Sequence, residues 1–379
     1  MKTVIIFGND HTNSLGLTQT LGMSGYYVVA LLFGIKRDLV RASKYCKRIL
    51  SAHGPQECID LLLKANIDNN GPIPIIPSCD SAALCLENNR VALSNTFVFE
   101  YAGGKYSLHQ LMEKKLQVSL AEQAGFYIPK TRLLSSLQIV PDNVEFPCLI
   151  KPAISCTGAK DDIRICRTHK ELTDNLKTLK YTREVIIQQY IERDYEISVL
   201  GCALSNGDVI APAVEYKLTL FPQNVGLECL ARMEALNNES IYNCIQKLIK
   251  SSNYVGVFSI EMMHCKTDGK FYFTEINLRN DGANSFYYKY GVNLPLVHIQ
   301  DLTNQSIYNF THFNPGYYIW DMHHLMSVIK RDISVLQWVK ELMKSKSFLT
   351  YFKQDPYPFY KQYINLLMDK LHLHKKNEY

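Results

Sequence analysis

The segment FTEINLRNDG, residues 273–282, places a carboxylate, an amide and a guanidinium at alternate positions of an otherwise apolar run. Side chains of an extended strand alternate between faces, so Glu275, Asn277 and Arg279 share one face. The same alternation puts Phe271 and Phe273 on that face, and Tyr272, Thr274, Ile276 and Leu278 on the other. The flanking runs KFYF and NSFYYKYG are too aromatic for an ordinary solvated sheet face. A negative ligand, a neutral oxygen and a fixed cation in a row suit a site. A further carboxylate, Glu261 in SIEMM, lies on the preceding strand, which KTDG joins as a hairpin with Gly269 available for positive φ. Adjacent strands lie about 5 Å apart, and two carboxylates at about 4 Å repel by about 4 kcal/mol at an effective dielectric of 20. A cation between them removes that penalty, and Asn277 adds an oxygen. Hard all-oxygen ligation suits Mg²⁺, which commonly takes one or two carboxylates plus nucleotide phosphates. The alternative is that each Glu pairs with a nearby Lys or Arg.

Two further stretches carry chemistry. In CLIKPAISCTGAK (148–160), Lys151 ends a buried strand and a loop of small residues follows, of the kind that lets backbone N–H groups approach phosphate oxygens. Lys114, on the helix ahead, is a second cation for the same role. In EVIIQQYIERDYEISV (184–199), two strands flank the connector IERD and keep Gln188, Gln189 and Glu196 within polar reach. Such a hinge can offer backbone groups to a purine edge and a carboxylate to ribose, or be a plain polar hairpin. Nucleophile chemistry finds no support, since there is no GxSxG and no Cys or Ser sits in a motif that names a His partner. The eleven histidines, His323 and His324 included, show no metal-binding spacing such as HExxH and read as structural.

The elements that must position these residues follow from periodicity. VIIF, a glycine turn at Gly8, a helix with Leu15, Leu17, Leu21 and Met23, and YYVVALLF (26–33) make a βαβ opening, hence a parallel sheet covered by helices. The turn GNDHTN lacks GxGxxG, so that fingerprint of dinucleotide binding is absent. A helix over 56–65 and a strand over 72–76 follow, and AGGK (102–105) breaks the pattern as a domain boundary. A single helix is expected over 108–125, with Leu108, Leu111, Met112, Leu116 and Leu120 on one side and Gly125 as its C-cap. Strands are expected over 146–154, 183–191, 195–204 and 209–217, then a helix over 239–252 and the 255–265 and 270–279 hairpin. Beyond about residue 303 the pattern is helical and aromatic.

With 379 residues, 47% hydrophobic and 20% charged, the chain reads as a globular protein of two or three domains. The net charge of +5 is mild, and the 41 basic residues are scattered rather than striped, which argues against nucleic acid as a partner. Eleven cysteines without a CxxC pair read as reduced thiols of a cytoplasmic protein. The N-terminal apolar run is too short for a signal peptide, and no window reaches the length of a membrane span.

The three constellations, in this order, resemble an ATP-grasp ligase, over roughly residues 1–300. The superfamily includes D-alanine–D-alanine ligase, biotin carboxylase and carbamoyl-phosphate synthetase. MEK followed by AEQAG and YIP resembles the family's first ATP lysine, which implies Lys114. FPCLIKP resembles the second, Lys151, with SCTGAK in place of the phosphate-covering loop and Ser155, Thr157 and Gly158 facing the phosphates. VIIQQYI resembles the adenine-contacting strand, with Gln188 and Gln189 at side-chain contacts and Tyr190 and Ile191 at backbone contacts. Glu196 matches the ribose carboxylate, and Glu261, Glu275 and Asn277 match the metal-binding acid, acid and amide. Arg279 matches the arginine that faces the acyl phosphate or substrate carboxylate. SKYCKRIL (43–50) and DPYPFYKQYINLL (355–367) resemble segments of a D-aspartate ligase-like branch tied to cell-wall or surface-polymer synthesis.

The resemblance implies an α/β fold in three parts. An N-terminal parallel α/β domain spans 1–105, and a two-lobed ATP-grasp domain spans 106–303 (lobes 106–190 and 191–303). A helical C-terminal extension spans 304–379. It implies a carboxylate–amine ligase that uses ATP with Mg²⁺ (or Mn²⁺), with Lys151 and Arg279 as catalytic residues. The implied partners are a small-molecule carboxylate and an amine or amino acid, without stable membrane insertion and with homodimerisation open. The alternatives are a carboxylase or carbamoyl-phosphate-type enzyme, or a degenerate ATP-binding partner protein.

Overall fold

The structure, a computed structural model, describes residues 2–35, 37–67, 71–134, 143–152, 164–178, 185–222, 227–310 and 312–370. The chain opens with β1 (Thr3–Asn9), α1 (Thr12–Met23), β2 (Tyr27–Phe33), β3 (Cys46–Ala52), α2 (Pro55–Lys64), β4 (Ile73–Pro77), α3 (Asp80–Asn88), α4 (Arg90–Leu93) and β5 (Phe97–Val98). Their strands form a parallel sheet in the order β3-β2-β1-β4-β5. β1, β2 and β4 are continuous apolar runs because helices cover both faces. The edge strand β3 was not expected: its sequence CKRILSA is half polar and largely uncovered, so neither a buried run nor an alternation announces it. The strand order reverses between β1 and β4, which opens a crevice at their carboxyl ends, where open α/β sheets bind ligands. Gly8 lets β1 approach Ser78 closely there, since a Cβ would lie 1.8 Å from Ser78 Oγ and force it to move.

After β6 (Tyr101–Ala102) the expected single helix is two, α5 (Leu108–Leu111) and α6 (Lys114–Ala124). Glu113 between them takes extended backbone, φ −74° and ψ 122°. The break is filled by a side chain: Gln117 Nε2 donates to the Leu111 carbonyl at 3.0 Å and to the Ile276 carbonyl at 2.9 Å. Gly125 ends α6 in left-handed backbone, φ +99°, as expected. A small antiparallel sheet follows, of β7 (Thr131–Leu134), β8 (Cys148–Pro152), β9 (Arg164–Cys166) and β10 (Val185–Gln189), in the order β7-β10-β8-β9. The helix α7 (His169–Thr178) packs Leu172 and Leu176 against it.

The remaining elements build a large sheet. They are β11 (Arg193–Ala203), β12 (Val209–Ile210), β13 (Ala213–Phe221), β14 (Leu227–Ala235), α8 (Glu239–Ser252), β15 (Tyr254–Cys265), β16 (Phe271–Asn277), α9 (Asn284–Tyr290) and α10 (Leu294–Leu302). β17 (Gly316–Ile319), α11 (Asp321–Ile329), α12 (Val335–Lys344), β18 (Ser345–Phe348) and α13 (Tyr357–Lys370) complete the chain. The order is β16-β15-β11-β13-β14-β17-β18, with β12 on β11 and β6 on β15. One face, with Ile197, Val199, Ile260 and Ile276, packs on Leu111, Leu120, Ile245 and Leu248 of α5, α6 and α8. On the other face Leu200, Cys202 and Val257 lie under Phe286, Tyr287 and Val297 of α9 and α10. Further along that second face the residues turn polar, at Glu196, Ser198, Lys217 and Glu261, and the sheet forms a cleft wall.

Two expectations are corrected. Glu261 pairs with Glu275 but Met262 pairs with Phe273, so Thr274 is an extra residue in a bulge. The bulge swings Phe273 into the core beside Ile276 and Leu278, off the face that carries Glu275. The C-terminal segment has the expected helices, but β17 runs antiparallel to β14 and β18 parallel to β17, so strands tie it into the sheet. Asp355 also binds it back to the N-terminal part, accepting from Ser43 Oγ (2.6 Å), Lys44 N (3.0 Å) and Gln19 Nε2 (3.1 Å).

Candidate active site

An open cleft of about 830 Å³ lies between the carboxyl ends of β1 and β4 and the polar end of the large sheet. Asn9, Asp10, His11, Asn13, Ser78 and Asp80 line one wall, and Glu196, Lys217, Glu228, Glu261, Glu275, Asn277 and Arg279 the other. Glu261 and Glu275 stand opposite each other in register, and Ser259 opposite Asn277. Asn277 Nδ2 donates to Glu275 Oε1 at 3.4 Å.

Lys217, on β13, was not singled out from the sequence. It reaches across the sheet face to Glu228 (2.8 Å), Glu261 (3.0 Å) and Glu196 (3.9 Å), and its side chain is 7% exposed. Burial alone would lower its pKa, but Glu228 and Glu261 outweigh burial and hold it well above the usual lysine range. Burial, with Glu228 and Glu275 nearby, pushes the Glu261 carboxyl up to about 7 against the pull of Lys217. Glu215 lies two residues before Lys217, fully buried, and burial and Glu228 raise its carboxyl well above the ordinary range. The sign in the sequence was present: Glu215 and Lys217 alternate on an apolar strand as Glu275 and Asn277 do.

The facing carboxylates and the amide fit a divalent cation, because they concentrate hard oxygens and like charge in one corner of the cleft. Among the described residues no group of three His, Cys, Asp or Glu could hold a metal by itself. Two carboxylates and an amide would leave coordination positions to water and to oxygens of a bound substrate.

Lys114 is the first residue of α6, at the helix break, and its Nζ lies 3.9 Å from Glu275. Lys151 donates to Gln188 Oε1 at 2.9 Å, and burial and Lys114 lower its pKa while Glu275 raises it. The two lysines and the acid pair thus share one electrostatic neighbourhood, although Lys114, Lys151 and the hinge do not line the cleft itself. Gln188 also donates to Thr131 Oγ1 at 2.9 Å, and Gln189 Oε1 accepts from Lys130 N at 3.2 Å. The Tyr190 N–H donates to the Pro147 carbonyl at 3.2 Å, and Ile191 is buried against Cys265 and Tyr272. Glu196 pairs with Arg193 as well as Lys217. Ser155, Thr157 and Gly158 lie outside the described residues.

Arg279 leaves the end of β16 and spans the two walls. Its Nε meets Asp80 at 3.1 Å and its Nη1 meets Asp281 at 3.3 Å. Asn280 next to it receives Asn13 Nδ2 on its carbonyl at 2.9 Å and donates its N–H to the Pro77 carbonyl at 3.3 Å. Neither Asp80 nor this seam was expected from the sequence. Of the histidines, His11 lines the cleft, lowered by burial and by Arg37. His324 bonds Glu341 at 2.8 Å and His323 the Glu228 carbonyl at 2.9 Å, as structural residues do.

Residues 114–285 match the model of the ATP-grasp domain. The chain carries an ATP-grasp domain. Among curated relatives, the formate-dependent phosphoribosylglycinamide formyltransferase of Wolinella succinogenes is 27% identical over 169 residues, 43% of this chain and 41% of that protein. The D-alanine–D-alanine ligase of Staphylococcus carnosus is 25% identical over 149 residues, 37% of this chain and 41% of that protein. The aligned parts thus span less than half of either relative. The fold extends beyond the ATP-grasp domain: N5-carboxyaminoimidazole synthetase from Staphylococcus aureus, solved with ADP, superposes with a TM-score of 0.65 at 16% identity, over 87% of this chain and 85% of that one.

Proposed function

We propose that the protein is an ATP-dependent carboxylate–amine ligase that forms an amide through an acyl phosphate and releases ADP and phosphate. The observation that carries this reading is the cleft itself, where Glu261, Glu275 and Asn277 meet Arg279 and the crevice of the N-terminal sheet. Mg²⁺ (or Mn²⁺) supplies charge neutralisation at the transferring phosphoryl group. Glu261, Glu275 and the Asn277 oxygen hold it. Lys114 and Lys151 face the nucleotide phosphates. Gln188, Gln189, Tyr190 and Ile191 contact the adenine, and Glu196 the ribose. Ser155, Thr157 and Gly158 cover the phosphates. The Arg279 fork orients the acyl phosphate or the carboxylate before it, and its bonds to Asp80 and Asp281 hold it at the wall. No protein nucleophile is needed, and electrostatic stabilisation by fixed groups does the catalytic part.

The substrates are a small-molecule carboxylate and an amine or amino acid, with cell-wall or surface-polymer synthesis as the setting. The working division is an N-terminal domain to residue 105, an ATP-grasp domain to 303 and a C-terminal segment beyond. The ten free cysteines among the described residues agree with a reducing cytoplasm. Screening carboxylic acids against amino acids for stimulated phosphate release tests the activity, with nucleotide products resolved by chromatography. ADP is expected, and Lys151→Ala should abolish most of the Mg·ATP-induced rise in melting temperature. AMP from the productive pair would refute the acyl-phosphate route.

A further inference from the structure

Away from the cleft, α12 turns apolar residues outward. Val335, Leu336, Val339 and Met343 are 67%, 66%, 38% and 76% exposed. At 3.6 residues per turn the four fall within one arc of roughly 100°. The opposite side fixes the helix: Glu341 is buried, bonded to His324 at 2.8 Å and to Thr219 Oγ1 at 3.0 Å, and the Trp338 ring stacks on His324. The outward arc is therefore set by the fold and cannot roll inward without breaking the buried His324–Glu341 hydrogen bond.

The exposed charges of residues 330–346 have one sign. Lys340 sits on α12 just beyond the apolar arc and Lys344 further round, over the Tyr317 ring, while Lys330, Arg331 and Lys346 flank the helix in sequence, all five exposed. The acids of 330–346 are Asp332, half-buried, and Glu341, buried in its pairs. Within 330–346 the apolar ridge is thus flanked by cations, with no exposed carboxylate in that stretch.

We propose that α12 is a peripheral docking surface for an anionic phospholipid membrane. The apolar arc enters the boundary between headgroups and acyl chains, and the lysines extend their stems to meet the phosphates. The charge selects this occupant. A second copy of the chain seated through the same face would oppose five cations to five. The helix is Val335–Lys344, ten residues, which at about 1.5 Å per residue lies on a bilayer and does not cross one. Among the described residues no helix is long and apolar enough to span a membrane. This surface is separate from the cleft and does not rest on the ligase reading.

Flotation of the full chain with vesicles tests the proposal. Vesicles of phosphatidylglycerol mixed with phosphatidylcholine should carry the protein upward, and pure phosphatidylcholine vesicles should not. Leu336→Asp with Met343→Asp should cut the bound fraction at least tenfold. Lys340→Glu should weaken binding by about fivefold or more, the contribution of one basic residue near such a surface. Val91→Asp, at an exposed apolar residue of α4, should bind like the wild type. All of these variants should melt as the wild type does, because the changed side chains are exposed. Equal recovery on the two vesicle types, or unchanged binding of Leu336→Asp/Met343→Asp, would overturn the proposal. A dimer by light scattering that the double variant dissolves, without vesicle binding, would overturn it in favour of a protein contact.

Discussion

Lys217→Met keeps the length of the side chain and removes its charge from among three carboxylates. The ammonium lies 2.8 Å from Glu228, 3.0 Å from Glu261 and 3.9 Å from Glu196. At an effective dielectric of 20 these contacts amount to about 4–6 kcal/mol each before desolvation, and burying the ammonium takes back several kcal/mol. Removing one partner of such a buried group leaves the others uncompensated and costs about 3–5 kcal/mol. At about 2 °C per kcal/mol for a long chain, Lys217→Met should melt roughly 6–10 °C below the wild type without divalent cations. Adding Mg²⁺ with a non-hydrolysable ATP analogue supplies positive charge beside Glu261, so its rise in melting temperature should be larger in Lys217→Met than in the wild type. Differential scanning fluorimetry with and without ligand measures both quantities. A ligand-free variant melting within about 2 °C of the wild type would mean that these carboxyl groups are already neutral, and that Lys217 is not their counter-charge.

Arg279→Lys keeps one positive charge but cannot meet Asp80 and Asp281 while also offering a ligand the free Nη2 donors of the guanidinium. Turnover should fall by about 10²-fold with the nucleotide-induced thermal shift retained, and near-wild-type turnover would make Arg279 a purely structural tie. Glu100 is 1% exposed with no hydrogen bond to either oxygen, and burial pushes it up to about 8 from 4.5. The folded state then holds a proton that the unfolded state has lost, so stability falls as pH rises through that window, by at most about 1.4 kcal/mol per pH unit. His298, 4.0 Å away and pushed down to about 3 by burial, acts in the opposite sense, but only below about 6.5. Melting temperatures of Glu100→Gln between pH 6.5 and 8 should therefore fall less steeply than those of the wild type, and parallel slopes would show that Glu100 is ionised in the fold.

What the sequence made legible was whatever a short period encodes. β1, β2 and β4 read as buried runs because helices cover both of their faces, and α8 declared itself by an apolar stripe at Ile241, Ile245, Leu248 and Ile249. The set Glu275, Asn277, Arg279 survived the bulge at Thr274 because the bulge precedes it, whereas Phe273, on the other side, changed face. Long-range partners leave no period. Asp80 reaches Arg279 across 199 positions, and Gln117 meets Ile276 across 159. The break between α5 and α6 is invisible for the same reason: Met112 and Glu113 are good helix formers, and a side chain satisfied by a distant strand competes with the continuous helix.

That break bears on how the site is loaded. It brings Lys114 to the first turn of α6, beside Glu275, while Lys217 stands beside Glu261 on the next strands. The acid pair thus has one exposed counter-charge and one buried one. Glu196 and Glu228 draw on the same Lys217, so that lysine does not neutralise the acid pair by itself. On the ligase reading, nucleotide phosphates entering without a divalent cation would face these carboxylates and be repelled. The cation without phosphates would find two carboxylates and an amide, with water alone to complete its shell and no phosphate charge to hold it. Each component makes the other's binding favourable, so metal and nucleotide affinities are linked, and the linkage is reciprocal. Lys217 sets its size, because a weaker fixed cation leaves more negative charge for the metal to satisfy.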